Sequence, residues 1–223
     1  MKKRISHEGL KLIACVTMLL DHLGAALFPI PALRLIGRLS FPIYCFLLSE
    51  GVRHTRNPKN YLLRLGIGAI LSEIPYDLLF YGRIGLQGQN VMVTLFLGAA
   101  MLILLQPLRK PLYKFVLILL FGVVAELLRC DYGSRGIVLM GLFYLTDQVS
   151  VHLLGLVLVA LASDGYLRLF GIPIPVQLFS VFSLLPIRFY NGEKRRYSRI
   201  LQWSFYLFYP AHLLALFLLK FWL

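Results

Sequence analysis

The stretch Leu10-Lys11-Leu12-Ile13-Ala14-Cys15-Val16-Thr17-Met18-Leu19-Leu20-Asp21-His22-Leu23-Gly24-Ala25-Ala26-Leu27-Phe28 decides the fold class. It holds about 19 residues, enough to cross the roughly 30 Å hydrocarbon core of a bilayer as one helix. Lys2-Lys3-Arg4 lie just before it, as at the start of a secretory signal. Asp21-His22, however, interrupts the place where such a signal would run into its cleavage site, and apolar residues then resume as far as Phe28. The reading is an uncleaved first membrane helix.

The rest of the chain agrees with that start. Of 223 residues, 59% are hydrophobic and 15% charged, whereas a soluble domain carries about 45–50% apolar and about 25% charged residues. The 23 Lys/Arg and 10 Asp/Glu cannot cover a soluble globule of this size. Disorder is excluded by the apolar content. The 18 Gly show no three-residue period, and the three Cys lack the CxxC spacing of a zinc or redox site. Cys15 and Cys45 sit inside apolar runs, where a thiol behaves as a small hydrophobe, so no metal is expected. The net charge of +13 lies in short runs between apolar segments, which sets membrane orientation and does not indicate nucleic acid. The expectation is a single all-α, polytopic transmembrane bundle over residues 1–223, embedded in the lipid bilayer of the cell (inner) membrane.

Nine apolar segments follow from a pass along the chain: 10–28, 33–50, 61–80, 90–105, 112–128, 136–145, 149–162, 172–189 and 203–221. The sixth and seventh are short, and read as tilted helices or as a hairpin that enters and leaves by one face. Cations cluster in alternate connections: Lys2, Lys3 and Arg4; Arg53, Arg56 and Lys59; Arg109 and Lys110; and Lys194, Arg195, Arg196 and Arg199. All fall on one side if nine segments alternate, which places the N-terminus in the cytoplasm.

Depth then sorts the polar residues. Asp21 and His22 lie about 9–11 Å from the outer end of the first helix at 1.5 Å per residue, and Arg38 about 8 Å below the start of the second. Pro29-Ile30-Pro31 makes these two helices an antiparallel pair. Glu73 and Asp77, four apart and hence on one face, close the third helix at the same side. Asn90 opens the fourth there, and Glu126 ends the fifth. Ionisable groups at such depth are functional candidates, though a pair such as Arg38 with Glu73 equally serves to lock helices together. Glu126 and Asp131, near the interface, read as solvated. His22 is the natural general base. His212, beyond the Pro210 kink and near mid-membrane, is a second candidate. Lys11, Cys15, Met18 and His22 share a helix face, with His22 about 16 Å deeper than Lys11, a track suited to a long, thin substrate with an anionic end.

Several blocks carry a family resemblance. The opening through Asp21-His22 resembles that of the TraX family of conjugal-transfer membrane proteins. So do Ile36-Gly37-Arg38-Leu39-Ser40-Phe41-Pro42, Glu50-Gly51 with His54-Thr55, Ser72-Glu73-Ile74-Pro75-Tyr76-Asp77, Asp131-Tyr132-Gly133, and Tyr209-Pro210-Ala211-His212. The family's type member is associated with N-terminal acetylation of a pilin subunit. It also looks like a branch of the acyltransferase-three transmembrane enzymes, whose basic residue, ten residues and His are matched by Lys11 and His22. Nothing in the residues themselves points to pilin.

The resemblance implies an enzyme that takes an acetyl group from cytoplasmic acetyl-CoA and gives it to an acceptor at the outer leaflet. Lys11, Arg53, Arg56 and Arg64 would hold the CoA phosphates. His22 would deprotonate the acceptor or carry the acetyl group. Asp21, or the neighbouring Glu73 or Asp77, would orient its ring, and Arg38 or Asn90 would stabilise the oxyanion. Tyr132 and Tyr209 fall on the substrate side. The acceptor is an amine of an envelope peptide or protein, or alternatively a hydroxyl of a cell-surface glycan. A proton-coupled transporter also uses intramembrane Asp, His and Arg, but paired halves are not visible in the chain. A scaffold whose buried charges are structural is the third class.

Overall fold

The computed structural model describes residues 4–169, 172–192 and 199–222. The helices are α1 (His7–Ala26), α2 (Pro31–Gly37), α3 (Ser40–His54), α4 (Pro58–Tyr81), α5 (Val91–Leu105), α6 (Pro111–Leu127), α7 (Gly133–Leu145) and α8 (Val149–Leu161). An antiparallel hairpin follows, with β1 (Tyr166–Leu169) and β2 (Ile172–Pro175) in the register Tyr166 opposite Pro175. A 3₁₀ helix (Val176–Ser183), α9 (Leu184–Arg188) and α10 (Arg199–Trp222) complete the fold. Lys2, Lys3, Lys194, Arg195 and Arg196, which belong to the basic clusters read from the sequence, lie outside the described residues.

Local chemistry sets these boundaries. Ser6 caps α1 by accepting from Gly9 N at 3.2 Å, and Asn57 caps α4 from Asn60 N at 3.0 Å. α4 stops at Gly82, whose φ of +68° suits a residue without a Cβ. Two expected segments differ. Segment 33–50 is broken after Gly37, because Pro42 has no N–H to give to the carbonyl of Arg38 and its ring crowds that carbonyl. Segment 172–189 is a strand, a 3₁₀ helix and one turn of α-helix, not a single helix. Pro173, Pro175 and Pro186 deny an α-helix three of its backbone donors there.

Contacts at the two ends of the bundle fix the direction of each pass. At the near end, where α1 begins, Ile5 N donates to Phe189 O at 3.0 Å. Arg53 reaches Asp147 at 3.1 Å, and Gln106 reaches Val52 O at 3.3 Å. At the far end, Asp131 N donates to Gln89 O at 2.9 Å, Arg135 to Ala162 O at 3.2 Å, and Arg38 to Gln177 at 3.2 Å. Lys220 Nζ donates to Leu79 O at 3.2 Å, so α4 and α10 finish together. Among the described residues the chain therefore traverses the bundle nine times with alternating direction, the 3₁₀ helix and α9 forming the eighth pass. At about 2.0 Å per 3₁₀ residue and 1.5 Å per α residue, that pass covers roughly 24 Å.

The bundle is apolar outside as well as inside. Ile70 is 76% and Leu127 77% exposed, and in α6 only Gly122 and Ala125 are buried. Such a surface needs lipid around it, and the protein is a membrane protein. His7–Ala26, Pro31–His54 and Trp203–Trp222 are long and apolar enough to cross a bilayer. The buried core centres on Cys45, Ala99, Leu102, Ile137, Met140 and Phe143.

Candidate active site

α1 and α2 lie close enough that a Cβ on Gly37 would collide with Asp21. That approach brings two guanidiniums onto one carboxylate. Arg34 Nη1 donates to Asp21 Oδ2 at 2.8 Å and to the Asp21 carbonyl at 3.1 Å, and Arg38 Nη2 donates to Asp21 Oδ1. Arg38 Nη1 also donates to Gln177, which ties the eighth pass to this cluster. The Asp21 side chain is 13% exposed and that of Arg38 14%. Successive residues on a helix point about 100° apart, so Asp21 faces α2 and does not orient its neighbour His22, contrary to the sequence reading.

His22 turns instead towards α10. Its Nδ1 stands 2.7 Å from His212 Nε2. The Phe80 ring meets it edge-on at 5.5 Å between centroids, and Tyr209 at 6.1 Å. His22 lines a cavity of about 280 Å³ together with Asp21, Arg34, Arg38, Asp131, Tyr132 and Tyr209. His212 does not line it. Tyr132 is held by a stack on Phe41, with centroids 3.6 Å apart and planes 8° from parallel.

Besides His212, three expected residues lie outside this cavity. Asn90 is fully buried, but its amide is consumed by structure: it caps α5 through Met92 N at 2.9 Å, donates to Ala69 O at 2.9 Å, and donates to Glu73. It is not free to hold an oxyanion. Glu73 accepts from Asn90, and Asp77 accepts from Gly85 N at 2.8 Å. Both carboxylates shape the connection from α4 to α5, and Arg38 pairs with Asp21 rather than Glu73. Their shared helix face was legible; the loop folding back onto that face was not.

Sequence reasoning missed two residues in the same cavity. Arg34, which belongs to none of the basic clusters, is a full partner of Asp21. Asp131, read as solvated, sits half-buried in the turn between α6 and α7 and faces the cavity. Burial pushes its carboxyl up to about 6, against the opposing pull of Arg38. Glu126 is exposed as expected, and accepts from Ser134 N at 2.8 Å and Ser134 Oγ at 2.6 Å at the start of α7.

A second cavity, of about 270 Å³, opens at the near end. Lys11, His54 and Arg64 line it. Lys11 Nζ lies 5.0 Å from the Phe205 ring centre, and the Arg64 guanidinium lies between the Tyr61 and Tyr206 rings at 5.9 Å from each. The two cavities share Tyr44, Met92, Leu95 and Phe205 as a common wall. Arg53 and Arg56 do not belong to this cavity. Arg53 spans Glu50 and Asp147 at 3.1 Å each and donates to the carbonyls of Phe143 and Tyr144 at 3.1 and 2.6 Å, which closes the C-terminus of α7. Arg56 is exposed.

Comparison with known proteins finds a family and two relatives. The family described as TraX protein matches residues 6–220. A protein of Dichelobacter nodosus described as "Probable fimbrial assembly protein FimC, serogroup H1" is 32% identical, over 93% of this chain and 92% of its own length. An uncharacterised protein of Rickettsia prowazekii (strain Madrid E) is 25% identical over 65% of this chain and 57% of its own length. No solved structure matches.

Proposed function

Because the chain belongs to the TraX family, we propose that it is a multi-pass inner-membrane acetyltransferase of fimbrial or pilin assembly, which moves an acetyl group from cytoplasmic acetyl-CoA to an amine of an envelope peptide or protein. The observation that carries this reading is the pair of abutting cavities, with Lys11 and Arg64 in one and His22 in the other. A donor with an anionic head and a long thin arm fits such a pair. Lys11 and Arg64 supply charge for phosphates, and the shared wall of Met92, Leu95 and Phe205 is apolar.

The chemistry follows from what lines the far cavity. The acceptor nitrogen attacks the thioester carbonyl carbon, so a C–N bond forms and the C–S bond breaks. His22 takes the proton that the amine loses and returns one to the departing thiolate. Arg38 is held by Asp21 and Gln177 before any substrate arrives. A fixed cation of this kind stabilises the developing oxyanion without reorganising. Tyr132 and Tyr209 shape the acceptor side. A glycan hydroxyl is the second acceptor class that the same base would serve.

The test is transfer of labelled acetyl from acetyl-CoA in membranes holding the protein, followed by mass spectrometry of envelope peptides and glycans. His22→Gln keeps hydrogen bonding but cannot act as a base, and it should lose about 10²–10⁴ in rate. Wild-type transfer by His22→Gln would overturn the assignment.

A further inference from the structure

The ring nitrogens of α1 and α10 are arranged in a chain whose proton positions can be read from its last acceptor. His212 Nδ1 lies 2.8 Å from the Phe208 carbonyl oxygen, four residues back on α10. A carbonyl only accepts, so His212 carries its hydrogen on Nδ1. A neutral imidazole has one N–H, which leaves His212 Nε2 with a lone pair. That lone pair faces His22 Nδ1 at 2.7 Å, so His22 Nδ1 is the donor and His22 Nε2 is bare. The two rings are 7° from coplanar with centroids 5.0 Å apart. With the nitrogens so close, contact runs edge to edge in the ring plane, as a hydrogen bond requires, rather than face to face. A protonated pair would bury a cation with no carboxylate bonded to either ring among the described residues, and with both nearby guanidiniums adding repulsion.

We infer that His212 is a positioning residue: it fixes His22 in the tautomer that presents Nε2, unprotonated, to the far cavity. His22 lines that cavity and His212 stands behind it. His212 thus takes the place that the sequence reading gave to Asp21, and acts on substrate only through His22. The same ring offered as a second base is better explained as the support of the first. The consequence for catalysis rests on the acetyl-transfer reading; the tautomer assignment does not. A base must be oriented by a partner that selects its tautomer, and a neutral acceptor does so without adding charge to a site that already holds Arg34 and Arg38.

Nitrogen-15 spectra of histidine-labelled full-length protein in detergent or nanodiscs test this. Assignments come from comparing wild type with His22→Gln and His212→Gln. In wild type both His22 and His212 should show a protonated Nδ1 and a bare Nε2. In His212→Ala, His22 should redistribute towards the Nε2-protonated form. The maximal rate should fall roughly 10–100-fold, by analogy with the loss on removing the hydrogen-bond partner of a metal-ligating histidine, with the KM for acetyl-CoA unchanged. His212→Gln, which restores an acceptor, should recover both the tautomer and the rate. A wild-type His22 protonated on Nε2, or an unchanged His22 tautomer in a folded His212→Ala, would overturn the inference. The predicted tautomers in a protein that transfers no acetyl group would uphold the positioning role and sink the acetyltransferase reading instead.

Discussion

Lys11 and His22 stand on one face of α1, yet they line two different cavities that meet at Tyr44, Met92, Leu95 and Phe205. They are eleven positions apart on the helix, about 16 Å of rise. One helix face thus carries a cation at the near end of the bundle and an imidazole in its far half. α10 runs alongside in the same direction, placing Phe205 beside Lys11 and His212 beside His22.

Asp21 holds two cations, and its removal should be felt in stability before chemistry. Asp21→Asn leaves Arg34 and Arg38 without their carboxylate, a change that costs about 3–5 kcal/mol for a buried pair. The Arg34 side chain is 36% exposed, which moves the expectation towards the lower end. Gly37→Ala should lower the melting temperature as well, because its Cβ collides with Asp21. Thermal melting in detergent measures both. An Asp21→Asn protein that melts like wild type but transfers nothing would give Asp21 a chemical role instead.

Asp131 should make stability depend on pH. Its carboxyl rises from 3.8 to about 6 on folding, mainly through burial. The folded state then holds a proton that the unfolded chain has released, so stability falls as pH rises from about 4 through about 6. Above that window the full penalty applies. Asp131→Asn should therefore melt higher than wild type at pH 7–8, and the gap should close below about pH 4. A gap that is constant across this range would contradict the assignment.

Much of the helical plan was legible because lipid demands long apolar runs, and basic clusters mark alternate connections. The convergence of polar groups in one layer was legible too, since helix rise converts residue number into depth. What the sequence does not carry is rotation about each helix axis. Asp21 and His22 share a depth but face different helices, and Glu73 and Asp77 share a face that a loop, not the cavity, occupies. Asp131 was assigned by its place in a connection that the fold turns toward the cavity, and Arg34 reaches Asp21 because α2 packs closely on α1. The eighth pass failed as a helix because its prolines weigh more than its hydropathy.

Alternating passes make a prediction about sidedness. Reporters fused after Lys59 or Lys110 should be cytoplasmic, and reporters after Gly82 or Gly133 should lie outside. A reporter within 194–199 found outside would show that the eighth pass does not cross the membrane.

The most direct measurement is calorimetric titration of acetyl-CoA into the purified protein in nanodiscs. Wild type should bind saturably. Lys11→Ala should bind more weakly while retaining its maximal rate at saturating donor, because Lys11 makes the same contact in the ground and transition states. His22→Gln should bind like wild type and transfer about 10²–10⁴ times more slowly. Absence of acetyl-CoA binding in the folded wild-type protein, or equal affinity in Lys11→Ala, would contradict the account of a cytoplasmic donor reaching His22 through the near cavity.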